Sequence, residues 1–425
     1  MYQHTKLKNG MHVATAELPH MASVCVGLWV NVGGRHETVE ENGAAHFIEH
    51  MLFKGTPNRS ARQISEEIEG LGGYLNAFTA EENTCYYAKV SSEHTETLLN
   101  VLFDMFLNAE FQPGDMAKER EVILEENSMY LDQPHQLVLE KLNEILWPRH
   151  PLGRSITGST RSLRRLNRAR LLDFRDQHYT APNVLLAAAG RIDHRTLLKQ
   201  ARRFSKSVPL GQPSSFERLR ATPQRFNFKY ISRKVEQAQL AICFKTCSRH
   251  DPRQYALQVL NTIVGENMSS RLFQVLREEH GLAYSVYSSL GSFDDGGTLS
   301  ICLGLDPDKL ELACELVERE LRRLREEVPD EDEVGRARRY LIGQLDLHLE
   351  NTENHMIWVG EQLLGFGEIR SVDSIKESIL AVSGEDVRRV AVDFFCRKLA
   401  RVAVVGPKMK ADRPNDFLRH EAFVG

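Results

Sequence analysis

Residues 46 to 50 read HFIEH: His46 and His50, with Glu49 beside the second histidine, inside the otherwise apolar stretch ENGAAHFIEHMLFKGTP. On a helix His46 and His50 stand one turn apart on one face, where two imidazoles can reach a single ion. Glu49 falls three residues after His46, on nearly the same face. The neighbours Ala44, Ala45, Phe47, Ile48, Met51, Leu52 and Phe53 make that helix apolar nearly all round. Such a helix is buried, and buried polar groups need partners. An exposed helix could carry the same pattern as solvated surface histidines; the apolar flanks argue against that and predict a metal site. Zinc held by three protein ligands keeps a fourth position for water, so a third ligand is required. Downstream, EREVILEEN offers Glu119, Glu121, Glu125 and Glu126. Glu119 and Glu126 share a helix face and the other two do not, but spacing alone does not choose among the four carboxylates.

HFIEHMLFKGT resembles the active-site signature of the inverted-zincin metallopeptidases, the family of pitrilysin, insulin-degrading enzyme and mitochondrial processing peptidase. The likeness continues in ER-x-V-I-x-x-E, which ends at Glu126, 76 residues after His50. The resemblance implies that His46, His50 and Glu126 bind Zn2+, that Glu49 is the general base, and that Glu119 assists or orients the site. The residue types agree with this. Two neutral imidazoles and one carboxylate leave a zinc site net positive, so a bound water deprotonates near neutral pH. A glutamate next to a ligand can take that proton and hand it to a leaving amine.

Further stretches carry the likeness. GGYLNAFTAEENTCYY resembles the strand that lies beside the substrate, implying that Asn76, Ala77 and Phe78 pair their backbone with an extended peptide. Read alone it is an ordinary hairpin. LREEHGLAYSVYSS resembles the family's Arg/Tyr element, implying that Arg277 and Tyr284 hydrogen-bond the substrate carbonyl. Read alone, Arg277 is a solvated helix charge and Tyr284 a strand core residue. HPLGRSITGS and ENTENHMIWVGEQLLGFGEI also look family-like and are assigned packing roles. The chain matches the short branch of the family, one two-domain half rather than the fused four-domain form. A half-length chain with both elements is expected to pair with a second copy. Arg277 and Tyr284 of one protomer would complete the zinc site of the other in a clamshell homodimer. A heterodimer with an inactive homologue is the alternative.

The elements that must position these residues recur along the chain. VCVGLWVNVG is a β-rich run, SARQISEEIEGLGG a capped helix with a Gly-Gly stop, SSEHTETLLNVLFDMFLNAEF a long amphipathic helix and VLLAAAGRI an apolar strand. QAQLAICFKTC, RLFQVLREEHGLAYSVYSSL, DPDKLELACELVERELRRL and LARVAVVGP repeat that order without an HxxEH. An Asn9-Gly10 turn predicts an N-terminal hairpin. The expected fold is α+β, two homologous domains, each a mostly antiparallel sheet covered by helices as the resemblance implies. Residues 1–208 form the zinc-binding domain, 209–225 a linker rich in proline and serine, and 226–425 the second domain with the Arg/Tyr element.

Composition narrows the classes. Of 425 residues 42% are hydrophobic and 26% charged, which supports a sizeable core. The net charge of −4 provides no basic field for nucleic acid or an anionic membrane. Seven scattered cysteines without a CxxC pair fit a reducing compartment. No leader-like apolar run and no run near 18 apolar residues occurs, so a cytoplasmic protein is expected. The leading expectation is a zinc endopeptidase acting on short or unfolded peptides in an enclosed dimeric chamber. A non-catalytic subunit of a processing-peptidase-like complex would be expected to lack a ligand or the base, and all four residues are present.

Overall fold

The computed structural model describes residues 2–220 and 226–408. The end of the expected linker, 221–225, and the C-terminal residues 409–425 lie outside the described residues. The chain divides into two compact units.

The first unit is built on a six-stranded sheet: β1 (Tyr2–Lys6), β2 (His12–Glu17), β3 (Ser23–Val30), β4 (Tyr74–Thr79), β5 (Thr84–Ser91) and β6 (Val184–Gly190). The spatial order is β1-β2-β6-β3-β5-β4, and only the β2–β6 pair is parallel. The β1–β2 hairpin turns at Gly10, whose φ of +95° is open to glycine at little steric cost. VCVGLWV is continuously apolar because both faces of β3 are covered. Val24, Val26, Leu28 and Val30 enter one core and Cys25 and Trp29 the other.

The first core is closed by the helices α1 (Ala44–Leu52), α2 (Ala61–Glu69), α3 (Thr95–Asn108) and the start of α4 (Pro113–Asp132). Phe47, Ile48, Met51 and Leu52 of α1 are fully buried there. Each contributes about 1.5–3 kcal/mol relative to exposure, which offsets the cost of taking His46 into the same core. The opposite face is covered by the helix Thr352–Phe366, which packs on β2, β3 and β6. It comes so close that a Cβ at Gly360 would stand 2.3 Å from Trp29 Cε2.

The second unit repeats the plan with five strands: β7 (Asn227–Ser232), β8 (Ala238–Thr246), β9 (Ala283–Ser292), β10 (Gly297–Leu305) and β11 (Ala400–Gly406). Their order is β7-β11-β8-β10-β9, with β7 and β11 parallel. This is the order of β2-β6-β3-β5-β4, so each sheet has the same connectivity. The helix α5 (Pro134–Leu146) packs on β7, β8 and β11 of this second sheet. The units therefore interleave along the chain, whereas the sequence reading divides it linearly. Residues 129–153 of the first half belong to the second unit, and 347–369 of the second half to the first. An amphipathic helix shows that one face must be buried, but not which sheet receives it.

Two histidines of the first unit are held neutral. His36 is pushed down to about 3 by burial, with His178 adding to it, and its Nδ1 accepts from Gly33 N–H at 3.1 Å. His12 is pushed down to about 4 by burial, with His4 adding to it. An unfolded chain protonates these rings near pH 6.5. Between there and about 4 the unfolded state holds more protons, so their contribution is complete above pH 6.5 and is lost as the pH falls through that window. Metal-free protein is expected to show a Tm that drops steadily from about pH 7 to 5. The drop is expected to be shallower in His36→Gln; a Tm insensitive to pH in both proteins would refute it.

Candidate metal site

α1 delivers two imidazoles and α4 the carboxylates. α1 starts at Gly43, held at φ +92°. The carboxyl group of Glu37 caps it, its oxygens accepting the N–H of Gly43 at 2.8 Å and of Ala45 at 2.9 Å. His46 is buried, while Glu49 and His50 are half-buried on the same side. On α4, Glu119 is buried and Glu126 half-buried, and Glu121 and Glu125 are exposed. Seven residues span nearly two helical turns, so Glu119 and Glu126 turn to α1 together.

His46 Nε2 lies 3.7 Å and His50 Nε2 3.9 Å from Glu126 Oε2. One donor atom from each residue lies within 4.8 Å of the others, the only such trio of His, Cys, Asp or Glu among the described residues. These separations are too long for hydrogen bonds. They are close to the spacing of about 3.3 Å for two ligands on a tetrahedral ion at roughly 2.0–2.1 Å from each. The N2O donor set fits zinc. Burial, with His50 adding to it, pushes His46 down to about 3, so its ring is a neutral lone-pair donor at physiological pH.

The surrounding contacts fix these side chains. Glu119 Oε2 meets His50 Nδ1 at 3.1 Å, and its Oε1 meets Lys54 Nζ at 2.7 Å. A carboxylate on Nδ1 sets the tautomer and leaves Nε2 free to ligate. Thr79 Oγ1 donates to Glu49 Oε2 at 2.5 Å. Burial raises the Glu49 carboxyl, an effect opposed by that hydrogen bond and by His50 and reinforced by Glu126. Lys54 and Thr79 escaped the sequence reading. Lys54 sits four residues past His50, a spacing that hinted at it; Thr79 gave no local signal.

β4, which carries Asn76, Ala77 and Phe78, is the edge of its sheet and pairs with β5 alone. Asn76 is exposed, and its Oδ1 accepts from Ala77 N–H at 2.9 Å. Phe78 is half-buried against Trp29, with ring centroids 5.4 Å apart. In the second unit Arg277 and Tyr284 come together: Arg277 Nη1 donates to Tyr284 O at 3.0 Å, and the guanidinium lies 5.7 Å from the tyrosine ring. Tyr284 is 77% exposed on the edge strand β9, so it is not the core residue that its strand context alone predicts.

Known proteins resemble this chain along most of its length. The description "Insulinase (Peptidase family M16)" matches residues 12–160, and "Peptidase M16 inactive domain" matches residues 165–341. A Rickettsia bellii protein named "Uncharacterized zinc protease" is 36% identical over 406 residues, covering 95% of this chain and 97% of its own. The chain belongs to peptidase family M16. A Bacillus subtilis protein named "Uncharacterized zinc protease YmxG" is 36% identical over 402 residues, covering 94% of this chain and 97% of its own. Among solved M16-like folds, a protease from Helicobacter pylori superposes with a TM-score of 0.90 at 20% identity, covering 96% of this chain and 99% of its own. A Pseudomonas fluorescens structure titled as a peptidase M16 inactive domain superposes at 0.89, also at 20% identity, covering 96% of this chain and 98% of its own. In this M16 chain HFIEH and Glu126 fall within the stretch matched as insulinase, and the stretch matched as inactive has no HxxEH. Among the described residues no helix is long and apolar enough to cross a membrane.

Proposed function

We propose that this M16 chain is a zinc-dependent endopeptidase hydrolysing short or unfolded peptides, with His46, His50 and Glu126 as metal ligands and Glu49 as general base. The observation that carries the reading is the convergence of two imidazole Nε2 atoms and one carboxylate oxygen beside a carboxylate, Glu49, that is not among them. Zinc bound there would supply Lewis-acid polarisation of a carbonyl and a lowered pKa for water. Glu49 accepts the proton from the attacking water and delivers it to the amide nitrogen as the C–N bond breaks; the second water proton passes from the new carboxyl group to the amine, leaving a carboxylate and an ammonium group. Thr79 holds Oε2 of Glu49, so Oε1 is the oxygen that carries the proton. Glu119 orients His50 and is itself anchored by Lys54.

The peptide lies extended along β4, its backbone pairing with the strand edge at Asn76, Ala77 and Phe78. Arg277 and Tyr284 hydrogen-bond the scissile region from the second copy in a homodimer whose protomers enclose the substrate. The exposure of Tyr284 on the edge strand β9, beside Arg277, leaves both side chains open to a substrate and supports that role. The cytoplasm is the proposed location.

The test is metal removal and return. Chelated protein is expected to lose cleavage of an internally quenched unstructured peptide and to regain it with about one zinc per chain. Restoration of cleavage without zinc would count against the metal mechanism, and zinc binding without any cleavage would count against the peptidase and favour a silent subunit.

A further inference from the structure

Glu126 follows the last buried residue of α4. The buried residues of that helix are Met116, Glu119 and Ile123, all before Glu126. The next residue, Asn127, supplies an anchor. Its Nδ2 donates to Gly158 O at 3.0 Å, and its Oδ1 accepts from the hydroxyl of Thr157. One amide thus grips two successive residues of the loop 154–158, using a donor and an acceptor together.

The same loop is tied to the start of α1. Asn42 Nδ2 donates to Ser155 O at 2.8 Å, and Arg154 donates to Glu37 O. Glu37 is the residue whose carboxyl group caps α1. Gly43 and Gly158 meet backbone to backbone. A Cβ on Gly43 would stand 2.9 Å from Gly158 Cα, and one on Gly158 2.7 Å from Asn42 O. The loop is therefore a strut between the helix that carries His46 and His50 and the turn of α4 that carries Glu126.

We propose that Asn127 is a positioning residue: through the 154–158 loop it fixes Glu126 at the separation from His46 and His50 that one shared cation requires. The role presupposes the zinc reading of those three residues. The side-chain hydrogen bonds of Asn127 run to the loop, and it acts through its chain neighbour Glu126.

The test measures zinc affinity by chelator competition on the full-length protein, with circular dichroism and Tm as fold controls. Wild type, Asn127→Ala, Glu126→Gln and the double variant are compared. Asn127→Ala is expected to weaken zinc binding about 10- to 100-fold, the usual cost of losing a residue that orients a ligand. In the Glu126→Gln background the same change is expected to have almost no further effect, because the residue it positions no longer contributes a carboxylate. Thr157→Val removes one of the two contacts at nearly constant volume and is expected to give a smaller loss in the same direction, even if Asn127→Ala folds poorly. Wild-type affinity in both Asn127→Ala and Thr157→Val, or equal losses from Asn127→Ala with and without Glu126, would overturn the proposal. A wild type that binds no zinc would instead overturn the metal site itself.

Discussion

Glu49→Gln is expected to lower cleavage of an unstructured peptide by about 10²- to 10⁴-fold, the range supplied by a positioned general base. Bound zinc is expected to stay near that of wild type. Glutamine keeps the shape of the side chain and an oxygen that can accept the Thr79 hydroxyl, now 2.5 Å from Glu49 Oε2. An amide cannot take a proton from water at neutral pH. His50, Glu119 and Lys54 keep their contacts, because none of them passes through Glu49. Kinetics and metal content measured on the same preparation separate the outcomes. Cleavage at the wild-type rate would place the base elsewhere. Loss of zinc along with activity would move Glu49 into the metal-holding set.

Mixing two inactive variants should restore activity if the homodimer shares its sites. Glu49→Gln is expected to remove the general base of the proposed zinc unit, and Arg277→Ala removes the guanidinium that lies beside Tyr284. In a mixed dimer one site combines both defects. The other combines an intact zinc unit from the Arg277→Ala chain with an intact Arg277 from the Glu49→Gln chain. Statistical reassortment of a symmetric dimer then returns about a quarter of wild-type activity. Subunit exchange, checked by mass on differently tagged chains, is the necessary control. Exchanged dimers with no recovered activity would show that each protomer uses its own Arg277; an Arg277→Ala protein that is active alone would show that Arg277 is not needed.

Much of the site was legible because it is local. His46 and His50 share one helix, so the 3.6-residue period places both imidazoles on one side with no knowledge of the rest of the fold. The apolar neighbours marked that helix as buried, and it is. Strand order was legible in part. The recurrence of β3-like and β6-like runs in β8 and β11 anticipated two units, and both sheets share one connectivity.

Tertiary structure decided what depends on residues distant in sequence. The sequence put Glu119 and Glu126 on one helix face but did not show which face meets α1; packing turned that pair inward and left Glu121 and Glu125 exposed. Thr79 meets Glu49 only because β4 ends beside α1. Tyr284 reads as core in an alternating strand, yet β9 is a sheet edge and the ring faces solvent. The exchange of helices between the halves, with Thr352–Phe366 on the first sheet and α5 on the second, leaves no trace in periodicity. Hydrophobic period shows which face of an element must leave water, and it is the same for any apolar surface that could receive it. The sequence by itself determined the residue types and their order along each element. The choice of receiving surface, and with it the partner of each polar group, was made by the packing of the whole chain.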